Sequence, residues 1–101
     1  MEKDFELIEL FELYQGLLTD RQRELFSSYY LYDLSLSEIA EPFGTTRQSV
    51  YEGVKKVKKK LIELENILHL RQRNVELTSL ANSLKDKNPE ICDKILEIIG
   101  R

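Results

Sequence analysis

Apolar residues recur at helical spacing almost from the start of the chain. Phe5, Leu7, Ile8, Leu10, Phe11, Leu13 and Tyr14 predict an amphipathic helix with Glu6, Glu9 and Glu12 turned outward, and Gly16 predicts its end. After Leu17 and Leu18, Thr19 and Gln22 have the spacing of a capping box, in which each side chain accepts the other residue's backbone N–H. The helix they open is expected to run to about Asp33, burying Leu25, Phe26 and Tyr29 and leaving Arg21, Arg23 and Glu24 in water. Tyr30 and Tyr32 fit core or surface equally well.

Ser35 and Glu38 form a second box, with Leu34 and Ile39 placed as the hydrophobic staple that sets the entry angle. A helix starting near Leu36 would turn Leu36, Ile39, Ala40 and Phe43 inward, and Ala40 is small enough to let another helix cross closely. Pro42 lacks a backbone donor and is expected to tighten or end this helix early. Gly44 can take the positive φ that closes it. Thr45 and Gln48 predict a third box and a new helix from Thr46. Two capped helices joined by a short turn containing Gly have the sequence form of a helix-turn-helix.

Along the second motif helix Val50, Val54, Val57, Leu61, Leu64 and Leu68 recur at alternating steps of four and three, a heptad stripe. Gln48, Tyr51, Glu52, Lys55, Lys58 and Lys59 fall on the opposite side. If continuous to Leu70, the helix has about 25 residues and a length of roughly 37 Å, so its far half needs a partner. Gly53 inside it costs about 1 kcal/mol relative to alanine. Beyond Leu70, Val75, Leu77, Leu80, Ala81 and Leu84 predict a further helix, or the same one resumed after a bend at 71–74. Asn88 and Pro89 then cap and open a last helix burying Ile91, Cys92, Ile95, Leu96 and Ile99. The expected fold is all-α with five or six helices: a helix-turn-helix domain over 1–70 and a C-terminal helical dimerisation segment over 71–101. The dimer contacts are expected at Leu61, Leu64, Leu68, Ile91, Ile95 and Ile99.

Charge changes this picture where composition hardly does. The net charge of −3 hides a segregation: residues 1–44 hold three Lys/Arg and ten Asp/Glu, residues 45–73 eight and three, and residues 74–101 four and five. A basic helix on an acidic body gives an oriented electrostatic surface. No apolar run approaches the ~18 residues of a membrane span and the acidic opening MEKDFELIEL is no signal peptide, so a cytoplasmic protein without membrane insertion is expected. The single cysteine, Cys92, excludes an internal disulfide and a multi-cysteine metal site.

Catalytic material is thin. There is one histidine and one cysteine, with no Gly-rich phosphate loop and no metal-ligand spacing. His69 at a helix C-terminus suits the dipole, and Cys92 among isoleucines suits a small buried apolar residue. No catalytic residue, metal, cofactor or small-molecule substrate is expected. The basic face is the better candidate: Lys55, Lys56, Lys58, Lys59 and Lys60 continue from the N-terminal residues of a recognition helix, the part that in such motifs meets base edges. Arg47, Gln48, Tyr51 and Glu52 are then candidate readers, Thr45 and Thr46 candidate phosphate contacts, and Lys55, Lys56 and Lys59 backbone contacts.

The passage LFELYQGLLTDRQRELFSSYYLYDLSLSEIAEPFGTTRQSVYEGVKK, continuing into LENILHL, resembles the YlxM-like family of small bacterial proteins, most specifically in LLTDRQR, YYLYDLSLSEIAE and TRQSVY. The same passage is similar, more loosely, to region 4 of bacterial sigma factors, whose helix-turn-helix reads promoter DNA. Tyr51 and Glu52 stand where those factors tend to place basic or amide residues. The family resemblance implies an all-helical dimer and a regulatory role in the signal recognition particle pathway, because the family is typically encoded beside components of that pathway. Two functions follow: a nucleic-acid-binding regulator whose ligand is DNA or the particle's RNA, or a protein-interaction module, with the particle's proteins as partners, in which the helix-turn-helix is only a scaffold.

Overall fold

The computed structural model describes residues 4–101, so residues 1–3 of the acidic opening lie outside it. Six α-helices follow one another: α1 (Phe5–Tyr14), α2 (Asp20–Phe26), α3 (Leu36–Phe43), α4 (Arg47–Leu68), α5 (Leu70–Ser83) and α6 (Pro89–Ile99). There is no strand among the described residues. The chain divides into two compact units, the first ending at Leu68 and the second starting at His69.

In the first unit α4 packs against α1, α2 and α3. Leu7, Leu10, Phe11 and Tyr14 are the buried side of α1, and Phe11 stacks on Phe26 of α2 with ring centres 4.3 Å apart. Phe5, placed inward by spacing alone, is the first residue of α1 and is 72% exposed. A 3-10 turn over Gln15–Leu17 carries the chain past Gly16. The carbonyls of Gln15, Leu17 and Leu18 accept from side chains farther along: Arg23 donates to Gln15 and Leu18, and Lys60 donates to Leu17 at 2.9 Å. Thr19 and Gln22 form the expected capping box.

The helix expected to reach Asp33 is regular only to Phe26. Ser27–Leu31 widen into a π-helical turn, in which the Tyr32 N–H reaches back five residues to the Ser27 carbonyl, and Asp33 closes it at φ +54°. Asp tolerates that left-handed conformation better than most residues. The wide turn leaves Tyr29 and Tyr30 half-buried, Tyr30 against Phe26 and edge-on to Tyr29, and Tyr32 in solvent.

Ser35 and Glu38 cap α3 reciprocally, at 3.1 Å to the serine hydroxyl and 3.0 Å to the carboxylate. Pro42 stands in the last turn of α3 without ending it early; the helix continues to Phe43. Gly44 follows at φ +63°, donating to the Glu41 carbonyl while the Thr45 N–H donates to that of Ala40. This is the Schellman closure, and in place of the expected Thr45–Gln48 box α4 has a single side-chain cap one residue later. The Thr45 N–H belongs to this closure, α4 starts at Arg47, and Thr46 is the residue that caps it, its hydroxyl accepting from the Ser49 N–H at 3.0 Å. Ile39 and Ala40 then meet Val50, Val54 and Leu25 in one core cluster, with Leu34, Leu36 and Phe43 around it. Gly53 has a reason that its own helix does not show: a Cβ there would stand 2.9 Å from a methyl carbon of Leu25, so its absence lets α2 approach.

The buried heptad stripe runs through Val50, Val54, Val57 and Leu61, while Leu64 is half-buried and Leu68 exposed. At 22 residues α4 is shorter than expected, because His69 adopts φ +55° and breaks the helix two residues before the predicted bend. The second unit is a pair of helices. Asn88 caps α6 by accepting from the Ile91 N–H at 3.1 Å, with Pro89 at the first position. Of its residues only the small Ala81 and Cys92 are buried.

Candidate nucleic-acid interface

The helix-turn-helix places the candidate residues by two simple geometric facts. The Gly44 turn brings Thr46 and Arg47 to the solvent end of α4, where the first backbone N–H groups of a helix lack intrahelical partners and the dipole favours an anion. Further along, burial of the valine stripe turns the opposite face out.

Thr46, Arg47, Gln48, Tyr51, Glu52, Lys55, Lys56 and Lys59 are all exposed, whereas Thr45 is half-buried and its N–H is already bonded. Gln48 donates to the Glu52 carboxylate at 2.9 Å, so these two candidate readers form a unit rather than acting separately. The Lys55 ammonium lies 6.0 Å from the centre of the Tyr51 ring, at the outer limit of a cation–π contact. Lys55, Lys56, Lys58 and Lys59 line an open groove together with Ile62, Glu52 and Glu63. Among the described residues, none of these four lysines nor Arg47 is held in an ion pair with the acidic N-terminal half. Lys60 is different. Its bond to the Leu17 carbonyl removes it from the basic arc and makes it a brace for the α1–α2 connection.

Lys58 belongs with the site more closely than its neighbours suggest. It lines the open groove and also a second, deeper cleft with Tyr29, Tyr30, Leu36, Tyr51 and Lys55. Spacing puts Lys58 four and three residues from Val54 and Lys55 on one side of α4, which is the signal for its membership; the tyrosines on the π turn have no such local signal. Burial raises the Tyr30 phenol above its ordinary value, with Tyr29 and Asp4 adding to the shift, so it stays a neutral hydroxyl.

The residues expected at a dimer contact are divided between the two units. Leu61 is fully buried within a single copy of the chain and belongs to the core of the first unit, while Leu64 is half-buried beside it. In the second unit Ile95 and Ile99 are half-buried, and Ile91 and Ile98 are exposed. His69 acts through its backbone at the break, and Cys92 is a buried free thiol. No cluster of three or more metal-ligating side chains occurs among the described residues, and none of the described helices is long and apolar enough to cross a membrane.

A short α3, a glycine turn and a long α4 with one packed and one open face define an all-α helix-turn-helix protein. The model of the UPF0122 family, described as "Putative helix-turn-helix protein, YlxM / p13 like", matches residues 1–98, and the chain belongs to that family. Similar relatives include the UPF0122 protein of Mycoplasma capricolum, 46% identical over 85 residues that cover 84% of this chain and 75% of the relative. The UPF0122 protein of Bacillus thuringiensis is also 46% identical over 85 residues, covering 84% of this chain and 77% of its own.

Proposed function

We propose that this is a non-enzymatic, cytoplasmic regulatory protein that binds nucleic acid through the helix-turn-helix and acts in the signal recognition particle pathway as a homodimer. One observation carries the nucleic-acid reading: Lys55, Lys56, Lys58 and Lys59 stand in solvent opposite the buried valines of α4, with no acidic partner among the described residues. Cations held that way on a rigid helix are available to a polyanion. Arg47 and the first turn of α4 meet the backbone or base edges, and Lys55, Lys56 and Lys59 follow the phosphates. Glu52 repels phosphate, so the Gln48–Glu52 pair fits a base edge, where a carboxylate accepts from cytosine. Resemblance to the family adds DNA and the particle's RNA as the ligands to compare.

The test is fluorescence anisotropy with duplex DNA and with the particle's RNA as salt rises from about 50 to 200 mM. Affinity is expected to fall by orders of magnitude over that range. Lys55→Glu with Lys59→Glu should weaken binding further at every salt concentration. Salt-insensitive binding to a protein of the pathway, with no shift of either nucleic acid, would establish the interaction module instead; the exposed Phe5 beside the glutamates of α1 favours that second reading.

A further inference from the structure

We propose that the cleft between the π turn and α4 is a pocket for one unpaired nucleobase, held between Tyr51 and the Tyr29–Tyr30 pair, with Lys55 and Lys58 on its flanking phosphates. The inference rests on the nucleic-acid reading of α4 and narrows it to ligands with single-stranded or looped nucleotides.

Three features support that occupant. The cleft holds about 210 Å³, room for a planar base but not for a folded peptide element, and Leu36 and Val54 give it an apolar floor. Its walls are aromatic: Tyr29 and Tyr30 stand edge to face at 5.0 Å, and Tyr51, 47% exposed, stands across from them on α4. Its rim is cationic, since Lys55 and Lys58 line the same opening. Aromatic walls with a basic rim are the combination by which proteins hold single strands, because every base has a π-face and every nucleotide a phosphate. A base inside a duplex is stacked on both sides and cannot enter; an unstacked base in a loop, bulge or single strand can.

The local fold favours the same conclusion. Tyr29 and Tyr30 lie on the π turn, not on a regular helix, and such turns are frequent at functional sites. Tyr30 is braced by Phe26 at 4.7 Å, so this wall is formed before any ligand arrives. Burial also keeps the Tyr30 phenol neutral, so it adds no charge that would repel a phosphate.

The chain contains five tyrosines and no tryptophan, so its own emission reports stacking. A 12-nucleotide single strand, as RNA and as DNA, and the corresponding duplexes are titrated against the full-length protein at fixed salt. The single strands are expected to bind more tightly than the duplexes and to quench tyrosine emission at saturation. Tyr51→Leu should weaken single-strand binding by roughly ten-fold, at least five times the loss for duplex, and Tyr51→Phe should restore it. Tyr29→Leu, checked for an unchanged circular dichroism spectrum, should show the same order of ligands. Equal losses for single strand and duplex, or saturation without quenching, would overturn the pocket while leaving the basic helix as a duplex binder. If neither form binds, the pocket and the nucleic-acid reading both fall.

Discussion

The two units of this chain reach opposite solutions to the same problem. The first surrounds α4 with three helices and buries Tyr14, Phe26, Ile39, Val50, Val57 and Leu61 almost completely. The second has two helices, of which α6 is capped as well as those of the first unit, yet it buries only Ala81 and Cys92 and leaves Val75, Leu80 and Ile98 largely in water. Apolar burial scales with the area removed, at about 25 cal/mol per Å², so two small side chains contribute little. The contrast teaches that good helical periodicity is not a core. Below ~40 residues a unit usually needs another source of stability, and the homodimer proposed above would supply it by covering the exposed aliphatics of this helix pair.

The comparison would break first at Phe26. Its ring is fully buried between Phe11 and Tyr30, and Phe26→Ala is expected to destabilise the protein by about 3–5 kcal/mol through lost transfer and a residual cavity. Urea denaturation followed by circular dichroism measures it. A loss below about 1 kcal/mol would mean that the first unit is no better packed than the second.

A smaller change sharpens the other half. Ile91 and Ile98 are seven residues apart on one face of α6, exposed by 40% and 58%. Ile91→Asp with Ile98→Asp is expected to weaken self-association at least ten-fold, a cost of about 1.4 kcal/mol, with little effect on helicity. Sedimentation velocity at micromolar concentration reads the outcome. Wild-type protein sedimenting as a monomer, or an unchanged dimer in the variant, would take the second copy out of the explanation.

Much of the first unit was legible because its signals are local. The boxes at Thr19 and Ser35, the positive φ of Gly44 and the period of the buried valines are all written within a few residues of where they act. What local pattern missed involves a choice between near neighbours or a distant contact. Thr45 and Thr46 are identical in chemistry, and which of them caps α4 depends on where the Gly44 turn ends and α4 begins. A π turn and an α turn present the same five residues, Ser27–Leu31, with no change in apolar spacing. Lys60 looks like its neighbours until Leu17, far away in sequence, supplies the acceptor. The candidate interface divides in the same way: its lysine face followed from helical period, while the tyrosine wall opposite Tyr51 required the fold. The exposed stripe on α6 was half visible, since spacing marks Ile91, Ile95 and Ile99 as one group but not which edge of the group faces α5.

The smallest expected effect concerns two of the capped helix starts, one from each unit. Asn88 caps α6 with an amide that does not titrate, whereas Ser35 caps α3 together with a carboxylate. The Ser35 backbone N–H, and secondarily its hydroxyl, hold the Glu38 carboxyl below its ordinary value, against a slight opposing effect of desolvation. A depressed carboxyl binds its proton less readily in the folded state, so the box adds stability above the unfolded value near 4.5 and loses that addition as pH falls through the lower folded value. Glu38→Gln keeps an acceptor oxygen in place and removes only the titration. Wild type and variant should therefore have similar melting temperatures once the pH is below the folded value, separate in favour of wild type as pH rises toward 4.5, and run parallel above it. Since the pair is fully exposed, the separation should be the smallest of the effects described and should shrink in high salt. Thermal melts recorded across that range decide it: profiles parallel at every pH would show that the Ser35 box closes α3 by geometry alone, as Asn88 does for α6.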